Sequence, residues 1–104
     1  MKRGDVWWAT LPRTMGQRPV VLVSRNEAYR VRTSVTVALV TTTIRSIHTE
    51  VLLGLEDGLP KRSVVNLDDL LTIEKSRLRQ FVAHLSPDKL DQLNAALKFA
   101  LAIL

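Results

Sequence analysis

Short runs of β-branched, aromatic and aliphatic residues, separated by Gly, Pro and charged residues, fill the first two-thirds of the chain. Residues 6–10 are largely aromatic and β-branched, and residues 19–23 form a continuous apolar run typical of a strand buried on both faces. Such runs predict five or six strands, at residues 6–10, 19–23, 33–40, 49–53, 63–67 and 81–84, with a helical turn near residues 74–79.

In the last segment of the chain, the spacing of apolar residues changes to one typical of a helix. Ser86 has the features of an N-cap, Pro87 suits the first helical position, and Asp88 is an acid in the first turn. Leucines then recur at spacings of three and four from Leu90 to Leu104, which predicts an amphipathic helix of about 17 residues. Strands followed by one long helix indicate an α+β fold, in which a small, strongly bent antiparallel sheet is closed by a C-terminal helix.

Length and composition narrow the classes of protein. A chain of 104 residues predicts one domain, spanning residues 1–104. The absence of cysteine excludes a disulfide framework and a thiolate metal site, and it agrees with a reducing cytoplasm. We expect neither a secretory signal nor a membrane span, because the apolar C-terminal segment also carries Asp88, Asp91, Asn94 and Lys98.

The positive charge is confined to the first half of the chain. Residues 1–50 hold eight Lys and Arg against three acids, whereas residues 51–104 hold seven of each, so the first half carries the whole net charge of +5. Arginines gathered in loops are a plausible footprint for a polyanion such as RNA, although a solvated surface would show the same composition. The arginines concerned are Arg13, Arg18, Arg25, Arg30, Arg32 and Arg45.

Several common catalytic arrangements find little support. A ribonuclease that uses two histidines would need His48 and His84, but no motif surrounds either residue. No metal site is predicted, because the spacings typical of zinc ligands are missing. The pair Asp68 and Asp69 would point to opposite faces if that segment were an extended strand, which suits shared coordination poorly.

Arg18 and Thr41 remain, and both stand at the ends of apolar strands. Pro19 biases Arg18 to an extended backbone, so its guanidinium lies at the mouth of a buried strand. Strand ends beside basic loops are frequent positions for functional residues. From the residues alone, an ion pair at the rim for Arg18 and an ordinary strand position for Thr41 are the favoured interpretations.

A series of motifs resembles the MazF/PemK family of toxin endoribonucleases across essentially the whole chain. It comprises Lys-Arg-Gly-Asp-Val-Trp at 2–7, Arg-Pro-Val-Val-Leu-Val-Ser at 18–24, Val-Thr-Thr-Thr at 40–43, Ser-Val-Val at 63–65, Thr-Ile-Glu-Lys-Ser-Arg-Leu at 72–78 and the leucine-rich helix. Each piece alone is weakly specific, and their order and spacing give the resemblance its weight.

The resemblance implies an SH3-like or CcdB-like barrel that forms homodimers. It implies the toxin of a type II toxin–antitoxin pair, which needs no cofactor and cleaves single-stranded RNA at a short motif to leave a 2′,3′-cyclic phosphate and a 5′-hydroxyl. Its catalytic residues would be Arg18 and Thr41. The expected partners are RNA and a cognate antitoxin with an acidic, disordered C-terminal segment, and the expected location is the cytoplasm.

Further residues near Arg18 and Thr41 are expected to bind the RNA. A guanidinium matches phosphate oxygens bidentately but is a poor base, so Arg18 is assigned mainly to electrostatic stabilisation, and a role in protonating the leaving group stays open. The aromatic residues Trp7, Trp8 and Tyr29 are candidates for base stacking, although packing is the favoured interpretation for both tryptophans. The predicted RNA-binding residues are Gln17, Arg25, Arg30, Arg32, Thr42 and Arg45.

Two departures from the family pattern bear on the site. The first loop, residues 11–17, is short and lacks the acid that family members often carry there. The family's frequent Asp-Gln-Ile-Arg is Asp-Asp-Leu-Leu at residues 68–71, which removes two usual RNA contacts.

Two other classes of function share this kind of fold. A CcdB-type gyrase poison would act through the tip of its C-terminal helix, but residues 101–104 read Leu-Ala-Ile-Leu and lack the terminal Trp and Gly of that class. A non-catalytic barrel that binds nucleic acid is the second alternative. Its binding would survive the loss of Thr41, whereas RNA cleavage would not.

Overall fold

Six antiparallel strands form one bent sheet in the computed structural model, which describes residues 1–104. The strand order is β4-β5-β3-β2-β1-β6, so the sheet curls into a half-barrel whose edges are β4 and β6. The predicted α+β, CcdB-like fold is confirmed. The strands are β1 (Asp5–Thr10), β2 (Gln17–Leu22), β3 (Ser34–Thr41), β4 (Glu50–Leu53), β5 (Ser63–Glu74) and β6 (Leu78–His84); the α-helices are α1 (Ala28–Val31) and α2 (Pro87–Ala100).

Both faces of β2 are buried, as its apolar run predicts. Val20 and Leu22 belong to a cluster that includes Val37, whereas Val21 belongs to a second cluster beneath α2. Because side chains alternate along a strand, one continuous apolar run supplies both clusters. The C-terminal half of β2 is therefore packed on both faces, and Gln17 and Arg18 extend from it towards the edge of the sheet.

The predicted strand 63–67 is only the first part of β5. Ala38 pairs with Leu70 while Leu39 pairs with Asn66, so three residues of β5 bulge out of the ladder. The Asn66 side chain accepts the N–H of Asp68 at 2.9 Å within this bulge. Asp68 and Asp69 are both exposed in this bulge, where the regular pairing of β3 with β5 is interrupted.

The helix α2 begins as predicted and ends early. Ser86 Oγ accepts the N–H of Lys89 at 3.2 Å, and Leu93 and Ala96 are buried in the cluster beneath the helix. The helix has 14 residues rather than about 17, and Leu104 is exposed beyond its end. No helix of this protein is long and apolar enough to span a membrane.

The connection between β2 and β3 contains the short helix α1, which the sequence pattern does not reveal. Its Tyr29 is 7% exposed, and the phenol donates a hydrogen bond to the Ser24 carbonyl at 3.0 Å. Burial raises the pKa of Tyr29 from its ordinary value of 10.0 to about 12. A helix of four residues is too short to display a periodic apolar pattern.

Candidate active site

Strand register brings Arg18 and Thr41 to one edge of the sheet. Val20 of β2 pairs with Leu39 of β3, and the strands are antiparallel. Two residues further towards this edge are Arg18 on β2 and Thr41 on β3. Two residues that are far apart in the chain are therefore level with each other across adjacent strands.

A cavity of about 300 Å³ opens at this edge. It takes in four of the predicted site residues and contains neither a carboxylate nor a histidine side chain. It is lined by Trp8, Gln17, Arg18, Pro19, Val40, Thr41, Thr42, Leu59, Pro60, Lys61 and Ser63.

Arg18 presents a guanidinium without a carboxylate partner. Its Nη2 donates to the Val40 carbonyl at 3.3 Å, which fixes one end of the fork. The ion pairs of the protein join other residues, so the interpretation of Arg18 as part of a rim ion pair is wrong. A guanidinium has five N–H donors, so several remain to bind an anion.

The hydroxyl of Thr41 is oriented by its own loop. Its Oγ1 accepts the backbone N–H of Thr43 at 3.2 Å, in a turn just beyond β3. With that lone pair occupied, the hydroxyl hydrogen is free to be donated into the cavity. Arg18 and Thr41 together supply several N–H donors and one O–H donor to the same small volume.

Two polar lining residues, Lys61 and Ser63, were not singled out as site residues from the sequence, and Trp8 was considered only for base stacking. Trp8 lies on β1 opposite Pro19, Ser63 begins β5, and Lys61 lies in the turn before β5. Val64 pairs with Thr41, which brings this turn to the cavity. These residues can be identified as part of the site only from a long-range strand pairing, which the composition and the spacing of residues do not reveal.

The arginines of the β2–β3 connection lie elsewhere. Arg25, Arg30 and Arg32 are exposed beyond the far end of β2, roughly 20 Å along the strand direction from Arg18, and none lines the cavity. Arg45 follows β3 in an exposed loop, where its backbone N–H donates to Glu50 Oε1 at 2.9 Å. RNA contacts by these four residues stay a prediction, and the cavity supports none of them directly.

The aromatic candidates separate clearly. Tyr29 is buried, so its assignment to base stacking is wrong. Trp7 packs edge-to-face on Phe81 at 5.9 Å between ring centroids, and its Nε1 donates to Asp5 at 3.4 Å. Trp8 is the tryptophan that faces the cavity.

The two histidines do not form a site. His84 Nδ1 is 2.8 Å from Asp5 Oδ1, whereas His48 packs against the ring of Phe99 at 5.2 Å. Neither lines the cavity, so the two-histidine arrangement is wrong. The structure contains no group of three or more His, Cys, Asp or Glu side chains that could hold a metal ion.

Comparisons with known proteins agree with one another. Residues 2–101 match the family described as PemK-like, MazF-like toxin of type II toxin–antitoxin system. The chain is 36% identical over 99 residues to the probable endoribonuclease MazF5 of Mycobacterium tuberculosis, which covers 94% of this chain and 90% of that protein. It is 30% identical over 112 residues to the endoribonuclease EndoA of Bacillus subtilis, covering 100% of this chain and 97% of that protein.

A solved structure gives the same answer at the level of the fold. It is an endoribonuclease in complex with its cognate antitoxin, from a mycobacterial species. The TM-score is 0.90 at 32% identity, and the match covers 100% of this chain and 97% of the other.

Proposed function

Because the chain belongs to the PemK-like, MazF-like family of type II toxins, we propose that it is an endoribonuclease that cleaves single-stranded RNA at a short sequence motif without a metal ion. The observation that carries this proposal is the cavity in which the Arg18 guanidinium, paired with no carboxylate, meets the oriented hydroxyl of Thr41. The resemblance to endoribonucleases favours this function over a gyrase poison or a non-catalytic barrel.

The proposed reaction uses the nucleophile that RNA itself carries. The 2′-oxygen attacks the adjacent phosphorus, and the bond from phosphorus to the 5′-oxygen breaks. The products are a 2′,3′-cyclic phosphate and a 5′-hydroxyl. In this scheme the enzyme orients the nucleotide and stabilises the charge that grows on the non-bridging phosphate oxygens.

Arg18 and Thr41 suit that task. The guanidinium can bind two phosphate oxygens at once, and the Thr41 hydroxyl can donate one further hydrogen bond to them. Donors placed in advance where charge develops cost little reorganisation during the reaction, and each is typically worth about 3–4 kcal/mol. Gln17 and Thr42 line the same cavity and are assigned to binding of the RNA.

The proposed partners follow from the same site. Family members pair with an antitoxin, and we assign to the antitoxin an acidic, disordered segment that competes with RNA for Arg18 and Lys61. A flexible acidic segment can be ordered on binding and displaced again. We also propose that the toxin is a homodimer and acts in the cytoplasm, where it meets RNA and antitoxin. Exposed apolar side chains such as Phe81 and Phe99 would pack in the dimer.

A cleavage assay in excess EDTA tests the function. Purified protein is incubated with RNA of mixed sequence, and new ends are mapped and tested for cyclic phosphate. We expect cleavage at a recurring motif with 5′-hydroxyl ends, and no such cleavage with the Thr41→Ala protein. Complete inhibition by EDTA that Mg²⁺ reverses would contradict the proposal, because the proposed site needs no ion.

A further inference from the structure

One lining residue of the cavity can give up a proton. The side chains of Trp8, Gln17, Thr41, Thr42 and the other uncharged lining residues do not act as acids in water, and a guanidinium is not deprotonated in proteins. The ammonium of Lys61 is the remaining group. The reaction proposed above needs an acid, because the departing 5′-oxygen must become a hydroxyl.

Strand pairing holds Lys61 close to the donors already described. Val64 lies opposite Thr41 in the β3–β5 ladder, and Lys61 precedes Val64 by three residues. The Ser63 hydroxyl donates to the Lys61 carbonyl at 3.0 Å and fixes the turn. The long, flexible stem of Lys61 begins at the wall of the cavity and can follow a phosphate held by Arg18.

The Lys61 ammonium has no internal partner. Its side chain is exposed and takes part in none of the protein's hydrogen bonds or ion pairs. Lys75 differs, because its Nζ donates to the Tyr29 carbonyl at 2.9 Å. Lys89 also differs, because its Nζ donates to the Leu52 carbonyl and lies 3.9 Å from Asp57 Oδ2.

The charged neighbours of Lys61 lie on two sides. Arg18 shares the cavity with it. On the other side, a shallow depression is lined by Lys61 together with Glu56, Arg62 and Lys89. Glu56 forms no ion pair with Lys61, so this carboxylate does not hold the ammonium away from the cavity.

We propose, resting on the function above, that Lys61 is the general acid that protonates the 5′-oxygen as it leaves. The 2′-oxygen forms a new bond to phosphorus and its proton passes to water. The bond from phosphorus to the 5′-oxygen breaks, and its electron pair stays on that oxygen. The Lys61 proton moves to this pair, and the resulting amine regains a proton from water. In this scheme Arg18 binds the phosphate oxygens and does not act as the acid.

Two substitutions separate proton transfer from charge. Lys61→Ala and Lys61→Arg should each slow cleavage by at least about 10², the scale for losing a positioned acid. Arg keeps the positive charge, so Lys61→Arg should bind an uncleavable RNA within a few-fold of the unmodified protein. Arg62→Ala is the matched control, because Arg62 is the neighbouring exposed cation and does not line the cavity. It should change the rate by only a few-fold.

A substrate with sulfur in place of the bridging 5′-oxygen gives the decisive readout. A thiolate leaves without being protonated, so Lys61→Arg should cleave this substrate within a few-fold of the unmodified protein. Arg18→Ala should stay slow on both substrates.

The outcomes are distinguishable from failure of the function itself. If the unmodified protein cleaves RNA and Lys61→Arg is nearly as fast, or is equally slow on both substrates, the general-acid role is overturned and the endoribonuclease stands. If the unmodified protein cleaves neither substrate, the proposed function fails. Circular dichroism of each variant checks that the exposed substitution leaves the fold intact.

Discussion

The two ends of the β2–β3 pair both carry exposed or half-buried arginine, and they differ in the structure around it. At the cavity end, Arg18 and Thr41 meet across adjacent strands and point their donors into one volume. At the connection end, Arg25, Arg30 and Arg32 lie exposed around the buried Tyr29. The donors at the cavity end are arranged to bind an anion. At the connection end, the buried Tyr29 phenol packs the connection against the sheet and has a structural role. The density of charge along the chain therefore does not identify the candidate site, whereas the strand register brings its residues together.

The largest expected effect lies at the cavity end. Arg18→Ala and Thr41→Ala should each slow RNA cleavage by at least about 10², since each removes a donor that stabilises the transition state. Arg18→Lys should also be slow, because a point charge does not replace the bidentate fork. Initial rates on an RNA that contains the mapped motif measure the effect.

Arg25→Ala at the connection end is the matched control, and it should cleave within a few-fold of the unmodified rate. If instead Arg25→Ala matched the loss seen with Arg18→Ala while both proteins kept their circular dichroism, the contrast between the two ends would be wrong.

The sequence predicted those features that depend on local pattern. The buried run 19–23 gave β2, and the N-cap Ser86 with Pro87 gave the start of α2. Arg18 and Thr41 were singled out because each stands at the end of an apolar strand in a motif that resembles a known family, and their catalytic roles stay a prediction. The bulge in β5 was missed, because it depends on pairing with β3 rather than on periodicity. Lys61 was missed for the same reason, because only the pairing of Val64 with Thr41 brings its turn to the cavity.

At the connection end we expect an effect of intermediate size, which is a loss of folding stability at high pH through Tyr29. The pKa of Tyr29 is raised to about 12 in the folded protein, so an unfolded chain loses this proton first, near the ordinary value of 10.0. The stabilisation is complete below pH 10 and is lost as the pH rises to about 12. The loss amounts to roughly 2–3 kcal/mol in the free energy of unfolding.

Urea unfolding between pH 9 and pH 12 measures this loss, with Tyr29→Phe as the comparison. The phenylalanine variant lacks the ionisable group and the hydrogen bond to Ser24, so it should be less stable at pH 9 and less sensitive to alkali. If both proteins lost the same free energy of unfolding between pH 9 and pH 12, a group other than Tyr29 would be responsible for the loss.

The smallest expected effect concerns the salt dependence of RNA binding. For single-stranded RNA, the logarithm of the binding constant falls with the logarithm of the salt concentration by about 0.7 for each phosphate that the protein neutralises. If Arg25, Arg30 and Arg32 all bound phosphates, replacing the three with Ala would reduce the slope by about 2. We expect a reduction below about 0.7, because none of them lines the cavity. Arg45→Ala, in the loop that follows Thr41, should by itself reduce the slope by about 0.7.

An uncleavable RNA titrated at several salt concentrations measures both slopes. A reduction near 2 in the triple variant would mean that the RNA crosses the whole face from the cavity to the connection, and that the arginines predicted from the sequence bind it together.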